Sequence, residues 1–317
     1  MPKTKLTIPE SFLGEESFEL KVGSNMKKVW AIELDLLSEL DKVCSKLGIK
    51  YFLVYGSLLG AKRHGGIIPW DDDIDVGMLR ADYNKLCRVC KEEFQLPYFF
   101  QTNETDPGSA RGHAQLRNSG TTGILRGEME NGKCKYRFNQ GIFIDIFIFD
   151  NVPDDAEEAN SFANELTAIK NRICLLRQRS YAYEKSFLFG LRSCGIRRIV
   201  QNFWLRIKEL LFHFDSLAEA CNELETVAQR YTDRNTKMVA PVTFMPKSSR
   251  FCALNRSILE NLTRVDFNFL SVLAPVDYEA MLRPCYGNWH EHVIGSSMHG
   301  GVFMDADKPY TEYLPKL

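Results

Sequence analysis

The sequence is poor in the features that would place it in several large classes of protein. No apolar run reaches the roughly 18 residues that a membrane-spanning helix needs, so no transmembrane segment is expected. The opening stretch, MPKTKLTIPESFLGEESF, has no long apolar core followed by small residues, so a signal peptide is not expected either. Formal net charge is −1, which provides no overall field to draw nucleic acid, and no nucleic-acid partner is expected. The 9 cysteines are scattered and odd in number, in a chain large enough to fold without cross-links, so reduced thiols in a cytoplasmic protein are the expectation. Cys87-x-x-Cys90 lacks a second pair at zinc-site spacing and lies in a helical pattern, so it reads as two ordinary helix cysteines. Internal repeats and low-complexity segments are also missing. What remains is a chain of 317 residues, 44% hydrophobic and 12% aromatic, enough for one large domain or two smaller ones.

What the sequence does have is concentrated between Tyr51 and Met78, YFLVYGSLLGAKRHGGIIPWDDDIDVGM. Tyr51–Tyr55 is β-forming and reads as a strand. Gly56-Ser57 follows at once, and Ser57-Leu-Leu-Gly-Ala-Lys can open a helix, so free backbone N–H groups would face a phosphate there. Arg63-His64-Gly65-Gly66 forms a tight basic loop, and Ile67-Ile68-Pro69-Trp70 leads into Asp71, Asp72, Asp73 and Asp75. That much carboxylate between apolar residues needs a cation to neutralise it. Asp73-Ile74-Asp75-Val76 alternates acid and apolar, so on a strand both acids share one face and can grip one Mg²⁺ or bridge two. Asp71 has the same parity, and Asp72 is expected to face away.

Upstream, Ser24 is a plausible N-cap for a helix ending at Gly48. Val29, Ile32, Leu36, Leu40, Val43 and Leu47 form its buried face, which makes the helix scaffold. Downstream, Arg80–Phe94 reads as an amphipathic helix, Tyr98–Gln101 as a strand, and His113–Arg117 as a strand followed by Asn118-Ser-Gly-Thr121-Thr122. Arg117 is open to two readings, a bidentate phosphate clamp or an ordinary surface arginine. Gly141–Asp150 is a continuous apolar strand apart from Asp145, as expected of a strand buried on both faces. An acid in that setting costs several kcal/mol unless paired or metal-bound, so Asp145 is the third carboxylate. Asp150 reads as a turn or cap residue.

From Asp154 the chain goes helical. Residues 170–208 carry ten Lys/Arg against one acid, Glu184, a segment of +9 that leaves −10 for the rest. It either lies on an anionic membrane or anionic acceptor, or is a solvated face that meets the acidic part of the same protein. Residues 215–232 form a further helix, and Ala274–Arg283 a short one leading to Tyr286 and Trp289. His290, His292 and His299 follow at spacings too loose for a zinc site, so pocket lining or plain surface is expected.

Gly-Ser before a helix, Asp-x-Asp on a strand and a later lone Asp match the nucleotidyltransferase fold, a mixed sheet of α/β (α+β) class flanked by helices. The words GSLLGAKRHGGIIPWDDDIDVGM, AQLRNSGTT, GIFIDIFIFDNVPDD and PVDYEAMLRPCYGNW closely resemble the LicD family of phosphotransferases, bacterial phosphorylcholine transferases with more distant fukutin-type ribitol-phosphate transferases. The resemblance covers about residues 25–155 and 274–315. It implies transfer of a phospho-alcohol from a CDP-activated donor, CDP-choline foremost, onto a sugar hydroxyl of a surface glycan such as lipopolysaccharide or teichoic acid. CMP would be released on the cytoplasmic side of the membrane, where the protein would be cytoplasmic or peripheral. The resemblance makes Asp73, Asp75 and Asp145 ligands of Mg²⁺, or of Mn²⁺ in its place. It puts Gly56 and Ser57 at a phosphate and lines the substrate pocket with Arg63, His64, Asp71, Arg117, Thr121, Tyr286 and His299. Trp70, Tyr286 and Trp289 are available to cradle a trimethylammonium group, though core packing is the commoner fate of such aromatics.

The expected organisation is a lead-in at 1–23, a catalytic core at 24–155, a helical basic segment at 156–235 and a C-terminal part at 236–317 that completes the site. Two other functions stay open on the sequence: a true nucleotidyltransferase passing the nucleotide monophosphate, and a non-catalytic glycan- or membrane-binding protein on a transferase scaffold.

Overall fold

The computed structural model describes residues 4–14, 22–126, 138–193 (side chains through 177), 216–244, 253–293 and 301–313. In chain order the elements are α1 (Glu10–Leu13), α2 (Ser24–Leu47), β1 (Phe52–Leu53), α3 (Tyr55–Arg63), β2 (Asp75–Leu79), α4 (Arg80–Glu93), β3 (Tyr98–Gln101), β4 (Ala114–Asn118), β5 (Thr122–Leu125) and β6 (Ile142–Val152). Then come α5 (Ala156–Ser193), α6 (Leu217–Ala228), β7 (Met238–Ala240), β8 (Leu254–Asn255), α7 (Arg256–Glu260), β9 (Leu262–Phe267), β10 (Leu270–Pro275), α8 (Glu279–Tyr286) and β11 (Val302–Asp305). This is the expected mixed sheet flanked by helices.

Its main sheet has 7 strands in the order β1-β2-β6-β4-β3, with β7 beside β6 and β8 beside β7. β2 and β6 are parallel and the other neighbours antiparallel. β6 is central, and all but the last of its residues are buried, as its apolar run demands. α2 buries Val29, Ile32, Leu36, Leu40 and Val43 against this sheet, while Leu47 at the last turn is 36% exposed. The helix ends at Gly48, whose φ of +63° is the left-handed conformation glycine adopts freely. Its N-cap is Gly23 with no side-chain cap, so Ser24 is the first helical residue rather than the expected cap. A smaller core joins Phe162, Leu166, Ile169 and Ile173 of α5 to Ala220, Leu224 and Val227 of α6.

Three further expectations shift. β1 is only Phe52–Leu53, because the chain turns at Tyr55 with φ +45° and starts α3 there. Ala274 and Pro275 belong to β10, and the C-terminal helix begins at Glu279. Asp150 is no cap residue: it is buried in β6, where Arg80 Nε donates to its Oδ1 at 2.5 Å and Nη2 to its Oδ2 at 3.0 Å. The long helix carries the start of the basic stretch. Lys170 there is buried, with Nζ donating to Phe244 O at 2.8 Å, and Arg172 pairs with Glu223. From residue 178 onward the stretch lies outside the described side chains. Among the described residues no helix is long and apolar enough to cross a membrane.

Candidate active site

Parallel pairing of β2 with β6 sets Asp75 opposite Asp145 at the starting ends of two adjacent strands. Asp73 arrives on extended chain two residues earlier. Carboxylate oxygens of Asp73, Asp75 and Asp145 all lie within 4.8 Å of one another. Residues seventy apart in sequence therefore meet because the parallel register sets them opposite each other.

Asp71, Asp72 and Asp73 form a second such group, also within 4.8 Å. Asp72 was expected to face away, but the chain before Asp75 is not a strand, so the two-residue alternation that would turn it outward does not apply. Asp71 is drawn in by Gly56: a Cβ there would sit 2.7 Å from Asp71 Oδ2. Trp30 Nε1 of α2 donates to Asp71 O at 3.1 Å and fixes the turn from below. Ser57 is buried, and its Oγ accepts from the Asp75 N–H at 2.8 Å, so it fastens the aspartate strand to the start of α3.

The electrostatics are those of acids crowded without enough positive charge. Burial, then Asp73 and Asp72, push Asp71 up to about 7. Burial, then Asp73 and Asp145, raise Asp75 well above the usual carboxylate range. Asp145 behaves oppositely. Burial pulls it upward, but His113, Gln115 and Arg117 outweigh that and hold it below its ordinary value. His113 Nε2 lies 3.3 Å from Asp145 Oδ1, and Gln115 Nε2 donates to the same oxygen at 2.6 Å. Oδ2 is thus the oxygen available to a cation, and Asp145 suits a permanently ionised ligand better than a proton acceptor. An oxygen-only donor set with more negative charge than its surroundings balance fits a hard divalent ion such as Mg²⁺ or Mn²⁺.

Other expected pocket residues have different places. Arg117 is 1% exposed and donates to Gln101 Oε1 and Gly141 O, each at 2.6 Å, and to Gln115 Oε1. It is neither a phosphate clamp nor a surface arginine; it positions Gln115, which positions Asp145. Thr121 is fully buried, donating to Asn118 O at 2.7 Å and accepting from Ile142 N at 2.9 Å, so it closes a turn instead of meeting substrate. Arg63 donates to Trp289 O at 3.2 Å and Glu291 O at 2.9 Å, and through Nε to His64 Nε2 at 3.0 Å. Burial, then Arg63 and His292, push His64 down to about 4, which keeps it neutral. Together they brace α3 against the segment after α8. Tyr286 is partly exposed, and its hydroxyl is pushed up first by burial, then by Cys285, Asp75, Asp71 and Asp73, so it stands within the field of the acids. Trp289 is buried, its Nε1 donating to Glu279 at 3.1 Å, which is core packing. Trp70 is half-buried beside His64, with ring centroids 5.9 Å apart. His299 lies outside the described residues.

Sequence reasoning missed His113, Gln115 and Glu33. The first two share strand parity with Arg117, a signal that was there to be read. Glu33 lies on α2, fully buried, with Asp73, Asp72, Asp71 and Asp145 as its charged neighbours. Beside the site, a cavity of about 680 Å³ opens between α4, the loop after β3 and α6, with Asn84, Arg88, Asn103, Arg111 and Gln229 among its lining and His113 at the Asp145 end.

Residues 48–199 match the family described as LicD/FKTN/FKRP, nucleotidyltransferase domain. The chain is 31% identical over 147 residues to the lipopolysaccharide cholinephosphotransferase LicD of Haemophilus influenzae, covering 46% of this chain and 52% of that protein. It is 55% identical over 40 residues to the ribitol 5-phosphate transferase FKRP of Homo sapiens, 13% of this chain and 8% of that one. An uncharacterised Rickettsia prowazekii protein is 41% identical over 63 residues, 20% of this chain and 24% of its own. The chain thus spans about half or less of the length of these curated relatives. The aspartate pair, the partner strand that carries the third acid and the match to the LicD/FKTN/FKRP family all fall in one stretch of chain.

Proposed function

We propose that this protein transfers a phospho-alcohol from a CDP-activated donor, CDP-choline foremost, to a sugar hydroxyl of a surface glycan, releasing CMP. The observation that carries the reading is the meeting of Asp73, Asp75 and Asp145 within 4.8 Å at the ends of β2 and β6, beside the Gly56 turn. Those three would hold Mg²⁺ or Mn²⁺, which when bound neutralises charge on the donor phosphates. The chain's own part is positioning. Gln115, held by Arg117, keeps Asp145 oriented and ionised, and Gly56 leaves room for close approach at the start of α3. As the acceptor oxygen bonds to the phosphorus bearing the alcohol, the bond to the CMP oxygen breaks, and the acceptor's proton passes to the carboxylate cluster. The polar cavity reaching His113 has the size and lining for a sugar acceptor. A cytoplasmic location, peripheral at the inner face of the membrane through residues 170–208, is the corresponding proposal for where the chain works.

The test uses CDP-choline, CDP-ribitol and CDP-glycerol with Mg²⁺, each labelled in either half, with lipopolysaccharide or teichoic acid as acceptor. The expected result is label from the alcohol half on the glycan and free CMP. Label from the cytidine half on the glycan would make this a nucleotidyltransferase, and no turnover with any donor would leave a binding protein.

A further inference from the structure

The cations of α4 divide into two kinds. Arg80 is gripped by Asp150 and Glu225, and Lys85 pairs with Asp82 at 2.9 Å. Arg88 and Lys91 lie with Asn84 on a stripe at steps of three and four, and all three line the cavity of about 680 Å³ beside the site. Among the described residues neither Arg88 nor Lys91 has an ion-pair partner, although Glu92 stands one turn on from Arg88. Arg111, on the loop between β3 and β4, adds a third cation to the lining, its guanidinium 5.4 Å from the centre of the Phe138 ring. Of the two acids in that lining, Glu225 is engaged by Arg80, which leaves Glu104 against three cations.

The cavity is held open by polar ties. Asn84 Nδ2 donates to Gln229 Oε1 at 3.1 Å and Asn103 Nδ2 to Asn222 Oδ1 at 2.9 Å, joining α6 and its end to α4 and to the loop after β3. Two atoms of the lining residues are left over. Asn103 Oδ1 and Thr243 Oγ1 are buried without a hydrogen-bond partner among the described residues, and Thr243 is 2% exposed. Such an atom costs about 1–3 kcal/mol unless a ligand or water completes it. An amide oxygen accepts and a threonine hydroxyl does either, so both suit sugar hydroxyls, whereas Arg88 and Lys91 suit an anion. α6 and Thr243 lie outside residues 48–199, so this part of the cavity comes from chain beyond the family match.

We infer that the acceptor is a phosphorylated sugar, its hydroxyls met by Asn103 and Thr243 and its phosphate by Arg88, Lys91 and Arg111. The inference rests on reading this cavity as the acceptor pocket, and narrows that reading from a sugar to an anionic one. On the function proposed above the donor phosphates belong with the aspartates, so an anion held by α4 belongs to the acceptor. Phosphate fits better than carboxylate, because its oxygens can serve two guanidinium groups and an ammonium together.

Calorimetric titration of the full chain in chelator, where no divalent ion can bridge an anion to the aspartates, tests it with glucose, glucose 6-phosphate, glucuronate and inorganic phosphate. Glucose 6-phosphate should bind at least about 10-fold more tightly than glucose or glucuronate, less so as salt rises, with inorganic phosphate competing. Arg88→Gln and Lys91→Gln should each cut that preference about 5-fold, and Lys85→Gln, off the cavity stripe, should leave it unchanged. Thr243→Val should weaken glucose 6-phosphate and leave inorganic phosphate as it was. Equal affinity for glucose and glucose 6-phosphate, or a preference that survives in both Arg88→Gln and Lys91→Gln, overturns the inference. Glucuronate bound as tightly as glucose 6-phosphate overturns the choice of phosphate. The two readings fail separately: phosphate-dependent binding with no transfer from any CDP-alcohol sinks only the transferase reading. Transfer to a neutral glycan with the same KM in wild type and Arg88→Gln sinks only the phosphorylated acceptor.

Discussion

β2 and β6 each carry charged groups at both ends of their pairing, and the two ends are built on opposite principles. At the start, Asp75 faces Asp145 amid further acids. Just past the other end, Asp150 lies five residues beyond Asp145 on the same strand and is gripped by Arg80, which also pairs with Glu225. Both regions bury carboxylates, but one carries its cation covalently as a guanidinium, and on the function proposed above the other recruits it. A resident cation makes a fixed structural joint. An exchangeable cation, as proposed for the aspartate end, would leave the charge unbalanced until the metal binds.

The comparison breaks most sharply on Arg80. Arg80→Met leaves Asp150 buried without its partner and should cost about 3–5 kcal/mol of unfolding free energy, read by urea denaturation, with no change when Mg²⁺ is replaced by chelator. Asp73→Asn at the other end should do the reverse. Turnover is expected to fall on the order of 10²–10³-fold, about 3–4 kcal/mol at the transition state, while metal-free stability holds or rises. Gln115→Leu should weaken Mg²⁺ binding by roughly 10–100-fold through Asp145, with a smaller loss of stability, measured by calorimetry.

Proton linkage gives the subtlest difference. Asp71 rises from its ordinary 3.8 to about 7 in the fold, so the native state holds a proton that the unfolded chain releases earlier. Its stabilising effect is full below the unfolded value and is lost as pH rises through about 7. Metal-free protein should therefore show a melting temperature that declines from pH 5 to 8, and saturating Mg²⁺ should flatten that decline by taking the proton's place. Asp150, pushed up to about 6 by burial against the pull of Arg80, adds a slope of the same sign. That part should not respond to Mg²⁺.

Much of the site was legible because strand parity and apolar context are local properties. Asp145 inside GIFIDIFIF announces itself, since a lone acid in a run buried on both faces has few physical explanations. Arg117 stays open in the sequence between a clamp and a surface arginine, because a strand arginine looks the same whether it meets a ligand, solvent or a neighbouring glutamine. Only the pairing of β4 with β6 puts Gln115 opposite Asp145 and so gives Arg117 its positioning task. Asp72 departs from its expected outward direction for another reason: strand alternation does not hold for residues that precede the strand.

The chain by itself determined the central buried strand, the lone acid within it, the Gly56 turn and the Asp-x-Asp that follows, because each depends on residues within one element. Tertiary structure alone decided which charges meet. Glu33 differs little in sequence from any acid at the edge of a helix's apolar face; it becomes part of the site because α2 packs beneath the aspartate turn. Burial follows from local pattern, whereas the partner of a buried charge is set by how distant elements stack.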